Sequence, residues 1–323
     1  MKNGSFARHH RGVDDLYPMK LQAPLKDYIW GGTKLKTDYG KKTDLEKVSE
    51  SWELACHKDG MSIIENGPEA GRTLKSYLDE AGPAVLGEHA KKFPYFPLLI
   101  KLIDAKDNLS VQVHPDNDYA MRVEGEYGKT EMWYIVDCEP GATLIYGFKR
   151  AISKEEFEKR IADNTLLEVC NQVPVHKGDV FFIASGTLHA IGKGIIICEI
   201  QQNSNTTYRV YDYGRLGKDG KPRELHVKKA IDVTNLEPVE KRPHLDVVMD
   251  IFADTQARLL ASCEYFTVYE LEIDGTSHLT AGKDSFQSFT VLDGSVQLHA
   301  GDAELTSRRG RPRSCRPASV PTR

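Results

Sequence analysis

Seven stretches dominate the middle of the chain: FPLLIKLID, LSVQVHP, TEMWYIVD, ATLIYGF, DVFFIAS, HAIGKGIIICEIQQ and TYRVYDYG. Each is rich in β-branched or aromatic residues and is bounded by Gly, Pro, Asp or Asn, the composition of short strands joined by tight turns. Strands at this spacing point to an antiparallel barrel or jelly roll, a mainly β fold with few helices. Two helices are predicted, a short one from Thr73 to Glu80 and a longer one from Ser153 to Val169. In the second, Ser153 and Glu156 match a capping box, and Phe157, Ile161, Leu166 and Leu167 form an apolar stripe.

The strand habit returns over residues 260–305, as YFTVYELEIDG and SFQSFTVLDGSVQLHAG, which predicts a second, smaller β-unit. The expected layout is an extension over 1–15, a main domain over 16–235 with a helical insert near 153–169, a linker over 236–248, and the second unit over 249–306. Residues 307–323 read SRRGRPRSCRPASVPTR, Arg-rich and without strand pattern, so an irregular tail is expected. The second unit reads as incomplete, through a change of reading frame near its end; a native basic tail is the alternative.

The formal net charge of -4 gives no overall basic field for nucleic acid, but leaves room for a local cationic cluster that binds an anion. No run of 18 apolar residues predicts a membrane span, and the polar N-terminus lacks the apolar core of a signal peptide. Cys56, Cys138, Cys170, Cys198, Cys263 and Cys315 form no CxxC pair and read as reduced thiols of a cytoplasmic protein. Nothing in the sequence fixes an oligomeric state.

Side chains alternate along a strand, so Ser110, Gln112 and His114 share one face while Val111 and Val113 take the other. Three polar groups facing a barrel interior need partners, which a metal or polar ligand would supply; a solvated edge strand is the competing reading. Lys129 and Glu131 open the next strand on one face, as a metal ligand beside an acid/base lysine or as a surface ion pair. His189, in GTLHAIG, reads alone as a satisfied core histidine. Together Gln112, His114, Glu131 and His189 make a mixed nitrogen and oxygen set suited to Zn²⁺, with neighbouring divalent metals left open. Arg209 is apt for phosphate or developing oxyanion charge, and Arg215 and Lys101 are further cationic candidates for an anionic substrate.

At these residues the chain resembles a known family. LSVQVHPDNDYA, GKTEMWYIVD, GTLHAIG and EIQQNSNTTYRVYDYGR are similar to the motif blocks of type I mannose-6-phosphate isomerases in their bacterial short form. So are LKDYIWGGTKL, SWELACHKDGMSIIENG and RELHVKKAIDV, and the resemblance runs from about Tyr17 to about Glu304. It implies a cupin-type barrel and interconversion of mannose 6-phosphate and fructose 6-phosphate. It further implies one Zn²⁺ on Gln112, His114, Glu131 and His189, Arg209 and Lys129 as catalytic residues, and Ser110, Lys101 and Arg215 on the phosphate side. The sequence departs from the family at Asn205, where members usually carry Asp, and after Glu304, where closing strands are not visible. Competing functions are an isomerase of unphosphorylated mannose and a non-catalytic sugar-binding cupin. A seed-storage-like structural cupin is a third, though it would have no use for this ligand set.

Overall fold

The alternation of side chains explains how the apolar runs assemble. In the computed structural model, which describes residues 17–240, 248–252, 255–300, 303–308 and 312–315, they form two antiparallel sheets. One sheet has six strands in the order Val180–Ile183, Glu131–Cys138, Ile195–Gln202, Leu98–Ala105, Glu50–Leu54 and Leu25–Lys26. The other has five, in the order Cys170–Pro174, Thr143–Phe148, His189–Ala190, Val111–Val113 and Tyr208–Tyr211. Ile103, Trp133, Ile135, Ile195 and Ile197 of the first pack with Leu144 of the second and the intervening Ile191, closing a jelly roll around a shared interior.

The six-stranded sheet is buried on both faces, so its strands read as continuous apolar runs rather than as alternating ones. Leu98, Ile100, Leu102, Ile196, Cys198 and Ile200 point away from the barrel into a second core with Met19, Leu21, Leu35 and Tyr39. Their neighbours along the strands point inward, and that face carries Lys101 and Glu199 directly opposite each other. The five-stranded sheet is covered outside by helices. Val111, Val113, Ala190, Tyr208 and Val210 pack against Phe157 and Ile161 of the helix Lys154–Ala162 and Ala230 of the helix Val227–Val233. Burying side chains of this size is worth about 2 kcal/mol each. With Val111 and Val113 packed outward, Gln112 between them faces the interior.

The first predicted helix spans Leu74–Ala81, with the Thr73 hydroxyl accepting from Ser76 N–H as its cap. The second begins as expected, Ser153 accepting from Glu156 N–H, but ends at Ala162. Asn164 then takes a positive φ of 56°, and the chain resumes as a 3₁₀ turn over Leu166–Glu168. That break turns Leu167 outward, so it is exposed and not part of the buried stripe. HAIGKGIIICEIQQ, which reads as one strand, is two, separated by the turn through Gly192 and Gly194. The helices Lys34–Thr37, Asn117–Val123 and Val227–Val233 have no counterpart among the predicted elements; the second has Asp116 as its cap and lies in the motif block after His114.

After the first 235 residues the chain adds a three-stranded sheet, Val248–Phe252, Thr255–Ser262 and Thr267–Leu271, and a hairpin of Ser295–Ala300 with Ala303–Arg308. Ala261 and Phe266 pack into the outer core of the six-stranded sheet. The tail is not wholly irregular: Pro312–Cys315 is a strand lying between Gln287–Thr290 and Met19–Gln22. The Met19–Gln22 strand has an open edge there, which supplies the backbone partners that a pattern-poor sequence does not advertise. The 1–15 extension and most of the 236–248 linker lie outside the described residues. Among the described residues Cys56, Cys138, Cys170, Cys198 and Cys263 are free thiols, and no helix is long and apolar enough to cross a membrane.

Candidate active site

Gln112 sits on the strand between His189–Ala190, the middle strand of the five, and the edge strand Tyr208–Tyr211, with His189 directly opposite on one side and Arg209 directly opposite on the other. Side chains at such cross-strand positions share a face and stand close enough to touch. His114 follows at the end of the same strand, its carbonyl accepting from Gly186 N–H. Glu131 enters from the opposite wall, at the start of a strand pinned by Ile183 and Gln201.

His114, Glu131 and His189 converge in a site sealed from solvent, at 1%, 0% and 0% exposure. The two histidine Nε2 atoms lie 3.1 Å apart. Glu131 Oε1 is 3.5 Å from His189 Nε2, and Glu131 Oε2 is 3.7 Å from His114 Nε2. Donors bound at about 2.0–2.1 Å around a tetrahedral ion stand about 3.3 Å apart, so this spacing fits a zinc-sized cation. The amide end of Gln112 lies 3.5 Å from His189 Nε2, and a turn of the amide places its oxygen there. His189 Nδ1–H donates to the Thr187 carbonyl at 2.8 Å, which fixes the tautomer and leaves Nε2 as a lone pair.

The electrostatics favour the same occupant. Burial, followed by the charge of Lys129, pushes His114 well below the usual imidazole range, and burial lowers His189 to about 4. Both rings are therefore neutral donors at neutral pH. Burial and the Glu199 carboxylate push Glu131 up, and neither of its oxygens receives an aligned hydrogen bond. The ammonium of Lys129 approaches one of them at 3.2 Å. A sealed carboxylate facing two neutral imidazoles is costly as it stands, and a divalent cation removes the cost.

Above this group lies a cavity of about 270 Å³, lined among others by Tyr28, Trp30, Lys101, Ser110, Gln112, Lys129, Asn205 and Arg209. Lys101 is 3.3 Å from Glu199 Oε1 and 3.6 Å from Glu50 Oε2. Burial alone would pull Lys101 down; the carboxylates of Glu50, Glu199 and Glu131 outweigh it and raise its pKa. Two of these carboxylates are also tied to indoles, Glu199 accepting from Trp133 and Glu50 from Trp52. Arg209 donates to Ser110 Oγ at 3.3 Å and to the Glu224 carbonyl at 3.0 Å.

Of the nine candidate residues, Ser110, Gln112, Lys129 and Arg209 line the cavity, and His114, Glu131 and His189 form the sealed group beside it. Two are placed differently. Lys101 lines the cavity but is already bound between carboxylates, and Arg215 is not part of the lining. The Arg215 guanidinium is held by Asp212 and the Asn108 carbonyl, against the Tyr213 ring. Asn205 has a partner of its own: its Nδ2 donates to Asp59 Oδ2 at 2.8 Å, where a carboxylate would meet a like charge.

Several residues at the site do not stand out in the sequence. Glu50, Glu199 and Arg223 line the cavity, and Glu126 braces the segment that carries Asn205. Glu126 lies 2.5 Å from His57 Nε2 and accepts from Thr206 Oγ1, Asn205 N–H and Ser204 Oγ. Glu199 is the most readable of these, a lone acid within the apolar run IIICEI; Arg223, in a turn sequence, gives no signal.

A jelly roll holding a sealed His–Glu–His group beneath a charged cavity defines a metal-dependent barrel enzyme. Residues 19–135 match the model of the phosphomannose isomerase type I catalytic domain. The chain is 41% identical to a probable mannose-6-phosphate isomerase of Bacillus subtilis, over 87% of this chain and 88% of that one. It is 38% identical to a mannose-6-phosphate isomerase of Streptococcus mutans, over 91% and 90%. A crystal structure of the mannose 6-phosphate isomerase from Bacillus subtilis superposes with a TM-score of 0.85 at 37% identity, covering 94% and 95% of the two chains. The chain belongs to the type I phosphomannose isomerase family.

Proposed function

We propose that this chain interconverts mannose 6-phosphate and fructose 6-phosphate, with Zn²⁺ as its metal. The observation that carries the reading is the sealed group of His114, Glu131 and His189, with donor atoms 3.1–3.7 Å apart, beneath a cavity lined by Lys129 and Arg209. His114, Glu131, His189 and Gln112 would hold the metal, whose Lewis acidity polarises sugar oxygens when it is bound.

The reaction moves a proton from C2 of the aldose to C1 and a hydroxyl proton between the two oxygens, through an enediol. It needs a group that carries the proton and a fixed positive charge beside the oxygens as they gain charge. Lys129 carries the proton: it lines the cavity, and its Nζ stands 3.2 Å from Glu131. Arg209 stabilises the developing oxyanion; its guanidinium is held by Ser110 and the Glu224 carbonyl, so no reorganisation is needed as charge develops. Lys101 compensates the Glu50 and Glu199 carboxylates and keeps that wall near neutrality.

The test is formation of fructose 6-phosphate from mannose 6-phosphate by the purified protein and by Lys129→Met. The expected result is turnover by the parent and a fall of about 10³-fold in kcat for the variant, with its zinc retained. Equal rates would remove Lys129 from the proton path.

A further inference from the structure

Among the described residues, the metal group and the cavity lining draw nothing from the second β-unit. One of its turns nevertheless reaches the segment that carries Lys129 and Glu131. The turn joins Thr255–Ser262 to Thr267–Leu271 and is closed by Cys263 N–H donating to the Phe266 carbonyl. It is held from two sides. Phe266 packs into the outer core, 6.5 Å from the Phe182 ring, and the Glu264 carbonyl accepts from Lys92 Nζ at 2.9 Å. Between these two anchors, the Tyr265 hydroxyl accepts from Asn117 Nδ2 at 3.1 Å.

Asn117 opens the helix Asn117–Val123, and backbone donors fix which way its amide points. Thr130 N–H donates to Gln202 Oε1 at 2.9 Å, which turns Gln202 Nε2 towards Asn117 Oδ1, also at 2.9 Å. Gly128 N–H donates to the same Asn117 oxygen at 2.9 Å. A backbone N–H only donates, so each amide has one allowed orientation, and Asn117 Nδ2 must face Tyr265. Gln202 is sealed, and its own N–H returns to the Thr130 carbonyl. Lys129, between the two held residues, gives its N–H to the Pro115 carbonyl at 3.0 Å. The approach is close: a Cβ on Gly128 would lie 2.3 Å from the carbonyl carbon of Asp116. Aromatic contacts run alongside, Tyr265 to Phe93 at 6.3 Å and Phe93 to Tyr127 at 6.5 Å, spacings at which rings attract.

We infer that Asn117, Gln202 and Tyr265 are positioning residues for Lys129 and Glu131, and that the second β-unit completes the active site through Tyr265. This rests on the reading that Lys129 carries the proton. The N–H groups of Gly128, Lys129 and Thr130 are all anchored, to Asn117, Pro115 and Gln202, so the segment cannot shift without breaking a hydrogen bond. Lys129 and Glu131 leave it two residues apart, with Lys129 Nζ 3.2 Å from Glu131 Oε2. A tilt of the segment therefore moves the proton carrier and a metal donor together. Misplacement of a reacting group by about 1 Å costs on the order of 100-fold in rate. The Tyr265 hydroxyl, by accepting from Nδ2, polarises the Asn117 amide and strengthens the Oδ1 acceptor that holds Gly128 and Gln202.

The test compares Asn117→Leu, Asn117→Asp and Tyr265→Phe with the parent, all loaded with zinc, in two measurements: steady-state isomerisation of mannose 6-phosphate, and amide hydrogen exchange at residues 128–130 without substrate. Asn117→Leu removes the acceptor. It is expected to lower kcat by about 30-fold with KM within about 3-fold, and to speed exchange at Gly128 by at least about 10-fold. Asn117→Asp keeps an acceptor at a helix start, where an acid is favoured, and is expected to stay within about 3-fold of the parent in both measurements. Tyr265→Phe removes only the hydroxyl and is expected to lower kcat by about 5-fold at unchanged KM, with faster exchange at Gly128. It also serves should the leucine variant fold poorly. A purely structural role would leave kcat of the folded, zinc-loaded protein at the parental value. That result in Asn117→Leu or in Tyr265→Phe would overturn the inference, as would equal impairment of Asn117→Asp and Asn117→Leu. If the parent does not isomerise mannose 6-phosphate but exchange at Gly128 rises as described, the reaction fails and the hold on the segment stands. If the parent isomerises the sugar and the variants match its kcat, the positioning role fails and the reaction stands.

Discussion

The two walls of the cavity are both antiparallel sheet, yet they solve the problem of a polar interior in different ways. The five-stranded wall presents Ser110, Gln112, His189 and Arg209 from strands whose other face is covered by helices. Its polar side chains are mostly neutral, and each finds a neighbour on its own sheet. The six-stranded wall presents charge, with Lys101, Glu199, Glu50 and Glu131 set among Trp52, Trp133 and isoleucines. Buried charges persist only when paired, so this wall is a network in which each member depends on the others. The difference teaches where the molecule is brittle: losing one charge on the six-stranded wall strands its partner, whereas losing one neutral group opposite costs a single interaction.

The largest expected effect joins the two walls. His189→Ala removes a donor that faces both Glu131 and His114, so bound metal and isomerase activity should disappear together, the rate by at least about 10³-fold; metal analysis beside the assay checks this. A zinc-loaded, active His189→Ala protein would separate the site from the chemistry. Next comes the brittleness itself. Glu199→Gln leaves Lys101 sealed with Glu50 as its nearest carboxylate at 3.6 Å, and should cost about 3 kcal/mol of unfolding free energy in denaturant titration. Ser110→Ala on the opposite wall should cost about 1 kcal/mol; equal costs would break the contrast.

Arg209→Lys keeps the charge but not the two-point hold on Ser110 and Glu224. A fall in kcat of about 100-fold, with the fold intact by circular dichroism, is expected. A smaller effect tests the segment that carries Asn205. Burial opposes the Glu126 charge, but His57 and Thr206 outweigh it and hold the carboxyl down at about 2, against an ordinary 4.5. Its folded pKa lies below its unfolded one, so the stabilisation is complete above about pH 4.5 and is lost as pH falls towards 2. Unfolding free energy should drop across that window by about 2 kcal/mol more in the parent than in Glu126→Gln. The smallest is remote: Ser153→Ala removes the cap of the helix Lys154–Ala162 and should cost about 1 kcal/mol with unchanged kcat.

Legibility in the sequence differs between the same two walls. On the five-stranded wall the alternation Ser110-Val111-Gln112-Val113-His114 separates interior from exterior by itself, because one face is polar and the other apolar. On the six-stranded wall both faces are buried, so period-2 contrast is absent, and Glu50 and Glu199 do not declare which side they face. Lys101 is legible as a cation near the site, but its carboxylate partners are not, since its pairing with Glu199 is a cross-strand contact between residues far apart in sequence. Arg223 and Glu126 come from turns, where position is set by closure with distant segments rather than by pattern. The helix break at Asn164 is hidden for a similar reason: a capping box announces a start, and the stop depends on a single left-handed residue.

The measurement that bears most directly on the central claim is the rate of fructose 6-phosphate formation from mannose 6-phosphate by the purified protein, before chelation, after it, and after adding back Zn²⁺, with metal content determined at each stage. Activity that disappears with one equivalent of metal and returns with zinc is the expected result. Full activity in the metal-free protein, or zinc binding at His114, Glu131 and His189 without turnover, would contradict it.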